Sequence, residues 1–149
     1  MYVSSTLPEI KSKYIDTGKV YYVFKDFPVV SNHPQAALAA QAAECAGDQN
    51  SYWQMHEALF DEPSEWDTTP EAAKEAFYRY ADTLKLDADT LMRCVEQGYH
   101  ADEVERDNQE AIRLGLTGTP AFIVNGRLMS GARPTEQFIQ VFDRELSQR

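Results

Sequence analysis

The feature that most constrains this chain is a change of hydrophobic period near its C-terminal end. Ala121-Phe122-Ile123-Val124 is a short, β-branched and aromatic run that reads as a strand. Asn125-Gly126 comes next, the strongest short hairpin signal, because a type I′ turn needs positive φ at both central residues. Arg127-Leu128-Met129-Ser130 returns as the partner strand. After Gly131, Pro134 opens a helix carrying Phe138, Val141, Phe142 and Leu146. A hairpin needs a third strand or a helix to cover its apolar face, so the rest of the chain must supply that cover.

Upstream, Val3, Leu7, Ile10 and Tyr14 share one face at helical spacing. Pro8 either opens this helix or kinks a longer one, and Gly18 stops it. Val20-Tyr21-Tyr22-Val23-Phe24 reads as a strand apolar on both faces, hence central and parallel. From Ser31 to Gly115 the pattern is helical. Asn32 and Pro34 suit a first turn, and an alanine-rich run ends at Gly47. Further helices are expected over 51–60, after Thr68-Thr69-Pro70-Glu71 with its capping-box spacing, after Asp87 up to Gly98, and from about Ala101 to Leu114. The element order is helix, strand, helical block, hairpin, helix.

Composition narrows the partners. The 149 residues carry 24 Asp plus Glu against 14 Lys plus Arg, a net charge of −10. Such a chain is repelled by phosphates, which argues against nucleic acid and anionic membrane surfaces. No apolar run approaches the ~20 residues of a membrane span, and no signal peptide is visible at the start. Cys45 and Cys94 are too few for a disulfide-built scaffold and too far apart for a Cys-x-x-Cys pair. Read by themselves they are compatible with buried free thiols. His33, His56 and His100 are scattered without metal-ligand spacing, so no metal site is expected. Trp53, Trp66 and Tyr80 read as core or helix-packing residues, Asp102 to Glu105 as a solvated helix face, and Lys25-Asp26 as a solvated turn.

The segment Gly115-Leu116-Thr117-Gly118-Thr119-Pro120-Ala121-Phe122-Ile123-Val124-Asn125-Gly126 resembles a signature of the DsbA-like thiol–disulfide oxidoreductases. Tyr14 to Val20, Phe24-Lys25-Asp26-Phe27-Pro28, His33-Pro34 through Cys45-Ala46, and Tyr52 through Phe60 resemble further segments of that family. The resemblance covers essentially the whole chain and implies an α/β, thioredoxin-like fold. Its thioredoxin-like part would be 1–30 and 116–149, with an all-helical subdomain inserted at 31–115 in a single domain of 1–149. In the family an N-terminal strand leads into a Cys-x-x-Cys motif. Tyr2 to Ile10 resemble the stretch just after that motif, so the expectation is that the central strand and the redox pair are missing from this chain and that it has no catalytic residue of its own. The strands at 20–24 and 121–124 would then close the gap by pairing directly, by a swapped or dimeric arrangement, or with residues outside the chain.

The resemblance also assigns roles. A proline at the edge of a strand can simply be trans. Gly118-Thr119-Pro120 in this family context implies a cis bond and a loop whose backbone binds substrate polypeptide in strand-like fashion. Cys45 and Cys94 match a structural disulfide of related oxidoreductases, which implies an extracytoplasmic (periplasmic or secreted) full-length form. Asp26 or Lys25 is open to a second reading, as a group tuning a family thiolate. The implied function is thiol–disulfide exchange on protein dithiols and disulfides, with polypeptide substrates or a redox partner protein and no cofactor beyond cysteines. A non-catalytic peptide-binding or assembly module is the alternative. The glutathione-using isomerase branch fits less well, because a hydrophobic residue is expected there in place of Thr119.

Overall fold

The computed structural model describes residues 2–148. They form two compact units, one from the residues up to Lys25 together with those from Gly118 onward, the other from Asp26 to Thr117.

The helical unit is built on α2 (Ala36–Gly47). Its buried face is Ala39, Ala42, Ala43 and Ala46, spaced by three and four residues, so neighbouring helices approach closely. Around it lie α3 (Tyr52–Asp61), α4 (Pro63–Trp66), α5 (Pro70–Thr83), α6 (Ala88–Gln97) and α7 (Ala101–Arg113). Met55, Phe77 and Leu91 are fully buried in the shared core. The Trp66 indole N–H donates to the Leu59 carbonyl at 2.8 Å, which satisfies the polar end of a buried aromatic. The helix starts obey side-chain chemistry. Thr69 accepts from the Ala72 N–H at 3.1 Å and Asp87 from the Thr90 N–H at 2.9 Å. Pro70 takes the first helical turn, so Thr69 rather than Thr68 is the cap. Gly98 closes α6 at φ +65°, in the left-handed region.

Two details of this unit differ from the sequence reading. Helix α2 begins at Ala36, not at Pro34, because Asp67 holds the preceding turn through the His33 ring and the Gln35 N–H. The short α4 comes too soon after α3 for periodicity to separate them.

In the other unit, α1 (Leu7–Ile10) is flanked by π-helical turns, Tyr2–Thr6 and Lys11–Ile15. Pro8 offers no N–H, and the helical path widens around it rather than ending. Strands β1 (Ala121–Val124) and β2 (Arg127–Ser130) pair antiparallel, with Ala121 opposite Ser130 and Val124 opposite Arg127. Asn125 at φ +47° and Gly126 at φ +82° make the turn that the Asn-Gly pair requires. The last helix, α8 (Thr135–Ser147), covers one face. Phe122 meets Phe138 edge-on at 4.8 Å, Tyr14 meets Phe142 at 5.1 Å, and the Tyr14 hydroxyl donates to Asp143 at 2.8 Å. Burial, then this carboxylate, push the Tyr14 phenol up to about 12.

The expected central strand at 20–24 is a correction. No strand forms there, and among the described residues β1 pairs with β2 alone, so the two runs do not pair directly. A strand is made by ladder hydrogen bonds to a neighbouring strand, and among the described residues the sheet consists of β1 and β2; the exposures describe how the run lies instead. Tyr21 is 92% and Val23 57% exposed, while Val20 packs with Ile10, Tyr14 and Phe138. The run is half-buried, not apolar on both faces. Among the described residues no helix is long and apolar enough to cross a membrane.

The alanine face of α2 generates a testable consequence. Ala42→Leu should cost about 1–3 kcal/mol in urea unfolding, because a fully buried site has no room for added methylenes. Ala40→Leu, on the half-exposed side of the same helix, should be nearly neutral.

Candidate functional site

The peptide bond between Thr119 and Pro120 is cis. The Pro120 carbonyl accepts from the Gly131 N–H at 2.9 Å, which anchors the loop to the end of β2. Thr119 is exposed, and no atom lies within 4 Å of the point where a Cβ on Gly118 would sit. Gly118 and Pro120 themselves are half-buried. The loop runs straight into β1.

Cys45 of α2 and Cys94 of α6 form a disulfide, with Cα atoms 6.0 Å apart. Both cysteines are buried. The bond lies within the helical unit and ties two of its helices.

Beside it lies an acidic group that sequence reasoning missed. Asp26 is buried at 6% exposure rather than standing on a solvated turn, and its backbone N–H donates to Asp107 at 3.1 Å. Burial first, and then the charges of Asp26, Glu103 and Asp107, push the Glu44 carboxyl up to about 7, partly opposed by His100. Lys25 is exposed. Three separate segments contribute these acids, the loop at Asp26, α2 and α7, so no local spacing announces the group. The histidines divide. His33 is exposed against Asp67. His56 is buried, which pushes its imidazole down to about 4. His100 sits between Asp48 and Glu103, at 2.9 and 3.1 Å. Burial pulls its imidazole down, but those two hydrogen bonds outweigh it and leave it raised. Trp66 is buried as expected of a core residue, whereas Trp53 is 43% exposed.

A family model described as Thioredoxin matches residues 2–144. The chain belongs to the thioredoxin family. Its likeness within that family is to DsbA. The crystal structure of alpha-DsbA1 from Wolbachia pipientis superposes with a TM-score of 0.83 at 26% identity, over 99% of this chain and 78% of that one. Disulfide bond formation protein D of Bacillus subtilis is 28% identical over 153 residues, covering 96% of this chain and 64% of that protein. A Na(+)/H(+) antiporter, NhaA 3 of Salinispora tropica, is 32% identical over 130 residues, covering 87% of this chain and 19% of the antiporter. The thioredoxin-family chain thus spans between a fifth and two thirds of these curated relatives' length.

The raised Glu44 carboxyl has a defined pH signature. A carboxyl whose folded value lies above its unfolded one stabilises the fold fully below about 4.5 and loses that contribution as pH rises through about 7. Glu44→Gln should therefore gain melting temperature over the parent as pH rises from about 5 to 8. The expected gain is about 2 °C, because the half-exposed carboxyl is partly screened. Taking the difference between the two proteins cancels the opposite trend from His56.

Proposed function

We propose that this chain forms the body of a protein thiol–disulfide oxidoreductase, with residues 31–115 as a helical insertion in one thioredoxin-like domain. The observation that carries the reading is the cis Thr119–Pro120 bond, in a loop where Thr119 is exposed and a Cβ on Gly118 would meet open space. That arrangement suits an extended polypeptide, which gains main-chain hydrogen bonds from the loop and places its sulfur near it. Support comes from the relative named for disulfide bond formation and from the DsbA structure. Both favour an oxidoreductase over a non-catalytic module. The antiporter's function is not carried over, because the match covers 19% of that protein.

Disulfide exchange proceeds by attack of a low-pKa thiolate on a sulfur, through a mixed disulfide that a second thiol resolves. Cys45 and Cys94 are buried and bonded to each other in the helical unit. In this proposal they are structural, the reactive pair is not among these residues, and Gly118, Thr119 and Pro120 hold the substrate. The partners are unfolded polypeptides and a redox partner protein. A homodimer or strand-swapped pair of copies is the assembly this reading allows. A buried structural disulfide fits an oxidising compartment outside the cytoplasm.

Gly118→Val tests the substrate loop. A Cβ there meets no atom within 4 Å, so the melting temperature should stay within about 1 °C of the parent. Binding of a fluorescent, extended cysteine-containing peptide should weaken at least tenfold, because the valine occupies the approach to the loop. Unchanged binding would remove the peptide from this loop.

A further inference from the structure

The surroundings of the structural disulfide hold more than a staple. Sγ of Cys45, Sγ of Cys94 and a ring nitrogen of His100 all lie within 4.8 Å of one another. Oδ2 of Asp48 is 3.8 Å from the Cys94 sulfur and 2.9 Å from Nε2 of His100. We propose that the Cys45–Cys94 disulfide is the oxidised form of a redox-gated zinc site, completed on reduction by His100 and Asp48.

The donor set is that of zinc. Two thiolates and an imidazole are soft-to-borderline ligands that select Zn2+ over Mg2+ or Ca2+, and zinc accepts a carboxylate as its fourth ligand. With Zn–S near ~2.3 Å and Zn–N near ~2.0 Å, tetrahedral geometry asks for ligand atoms roughly 3.3–3.8 Å apart. The sulfurs and a His100 ring nitrogen lie within 4.8 Å of one another and Asp48 reaches Cys94 and His100 at 3.8 and 2.9 Å, so small side-chain shifts about the opened bond complete the tetrahedron. The ligands also come from helix ends held in place by the core. Cys45 is in α2 and Asp48 caps its end, Cys94 is in α6, and His100 immediately precedes α7. The second shell is present too. With Nε2 facing the metal, Nδ1–H of His100 donates to Glu103, at 3.1 Å, which fixes the tautomer and raises ligand basicity. Asp48 is 57% exposed at its side chain and His100 19%, so the metal has a path from solvent to the buried sulfurs.

The step balances. A small dithiol reductant gives two electrons to the S–S bond and becomes its own cyclic disulfide, leaving two protein thiols. Zn2+ then binds both sulfurs as thiolates and releases two protons. While the disulfide is intact both sulfurs are neutral and bonded to each other, so the oxidised chain is not a zinc protein. The site lies wholly in the helical unit and does not depend on the substrate loop.

The test uses the whole chain, oxidised or reduced with excess dithiothreitol and desalted anaerobically, with Co2+ as the spectroscopic probe and Zn2+ in competition against a chromophoric chelator. The reduced chain should take up one Co2+ with sulfur-to-cobalt charge-transfer and tetrahedral d–d bands. It should bind Zn2+ at least a hundredfold tighter than the oxidised chain. His100→Ala should weaken Zn2+ at least tenfold, and Glu103→Gln by about tenfold through the second shell. Circular dichroism of the reduced chain should be native-like once Zn2+ is added. Equal affinity of both redox forms, an octahedral cobalt spectrum, unchanged affinity in His100→Ala, or a reduced chain that loses its fold and does not regain it with Zn2+ would each overturn the proposal.

Discussion

The structure depends on the close approach that the alanine face of α2 permits. Ala39, Ala42, Ala43 and Ala46 leave so little side chain between helices that larger residues, Met55, Phe77 and Leu91, fill the space from the other side. Small against large is how helical layers reach the density of a close-packed interior. Alanine also carries the best helix propensity, so local and tertiary preferences agree on this segment. The same helix holds Cys45 at the edge of that face, within disulfide reach of Cys94 on α6. The bond closes a separation of 49 residues, which the chain-entropy model equates with about 4 kcal/mol. Packing positions the two helices, and the covalent link holds them.

How much of this was legible in the sequence varied with how local the signal was. The Asn125-Gly126 turn, the Asp87 and Gly98 boundaries of α6 and the stop at Gly115 come from residues that each satisfy a nearby backbone requirement. They could be read one position at a time. The start of α2 could not, because Asp67, far along the chain, holds the turn before it. The run at 20–24 misled for a related reason. Its residues are all apolar or aromatic, but whether alternate members face core or solvent is set by the groups that pack on each side. Tyr21 and Val23 face outward.

The candidate site shows the same division. Gly118, Thr119 and Pro120 are contiguous and precede a strand, so their loop was visible as a unit. Pairing of Cys45 with Cys94 rested on resemblance rather than on spacing. The acids around Glu44 come from Asp26, Glu103 and Asp107, on segments that only the fold brings together. His100 illustrates the point best. As a sequence position it is one of three scattered histidines, yet in the fold it lies between two carboxylates and beside a disulfide.

The labour within the chain is divided accordingly. In the proposed function the loop at 118–120 is where polypeptide would bind, while both cysteines are buried in the helical unit. The most direct test is to mix the oxidised chain with a dithiol peptide at neutral pH, then measure free thiols over time and map disulfides by mass spectrometry. The predicted result is no catalytic turnover and an intact Cys45–Cys94 bond. Repeated turnover of the peptide through Cys45–Cys94, as opposed to the stoichiometric reduction that excess dithiothreitol brings about, would contradict it.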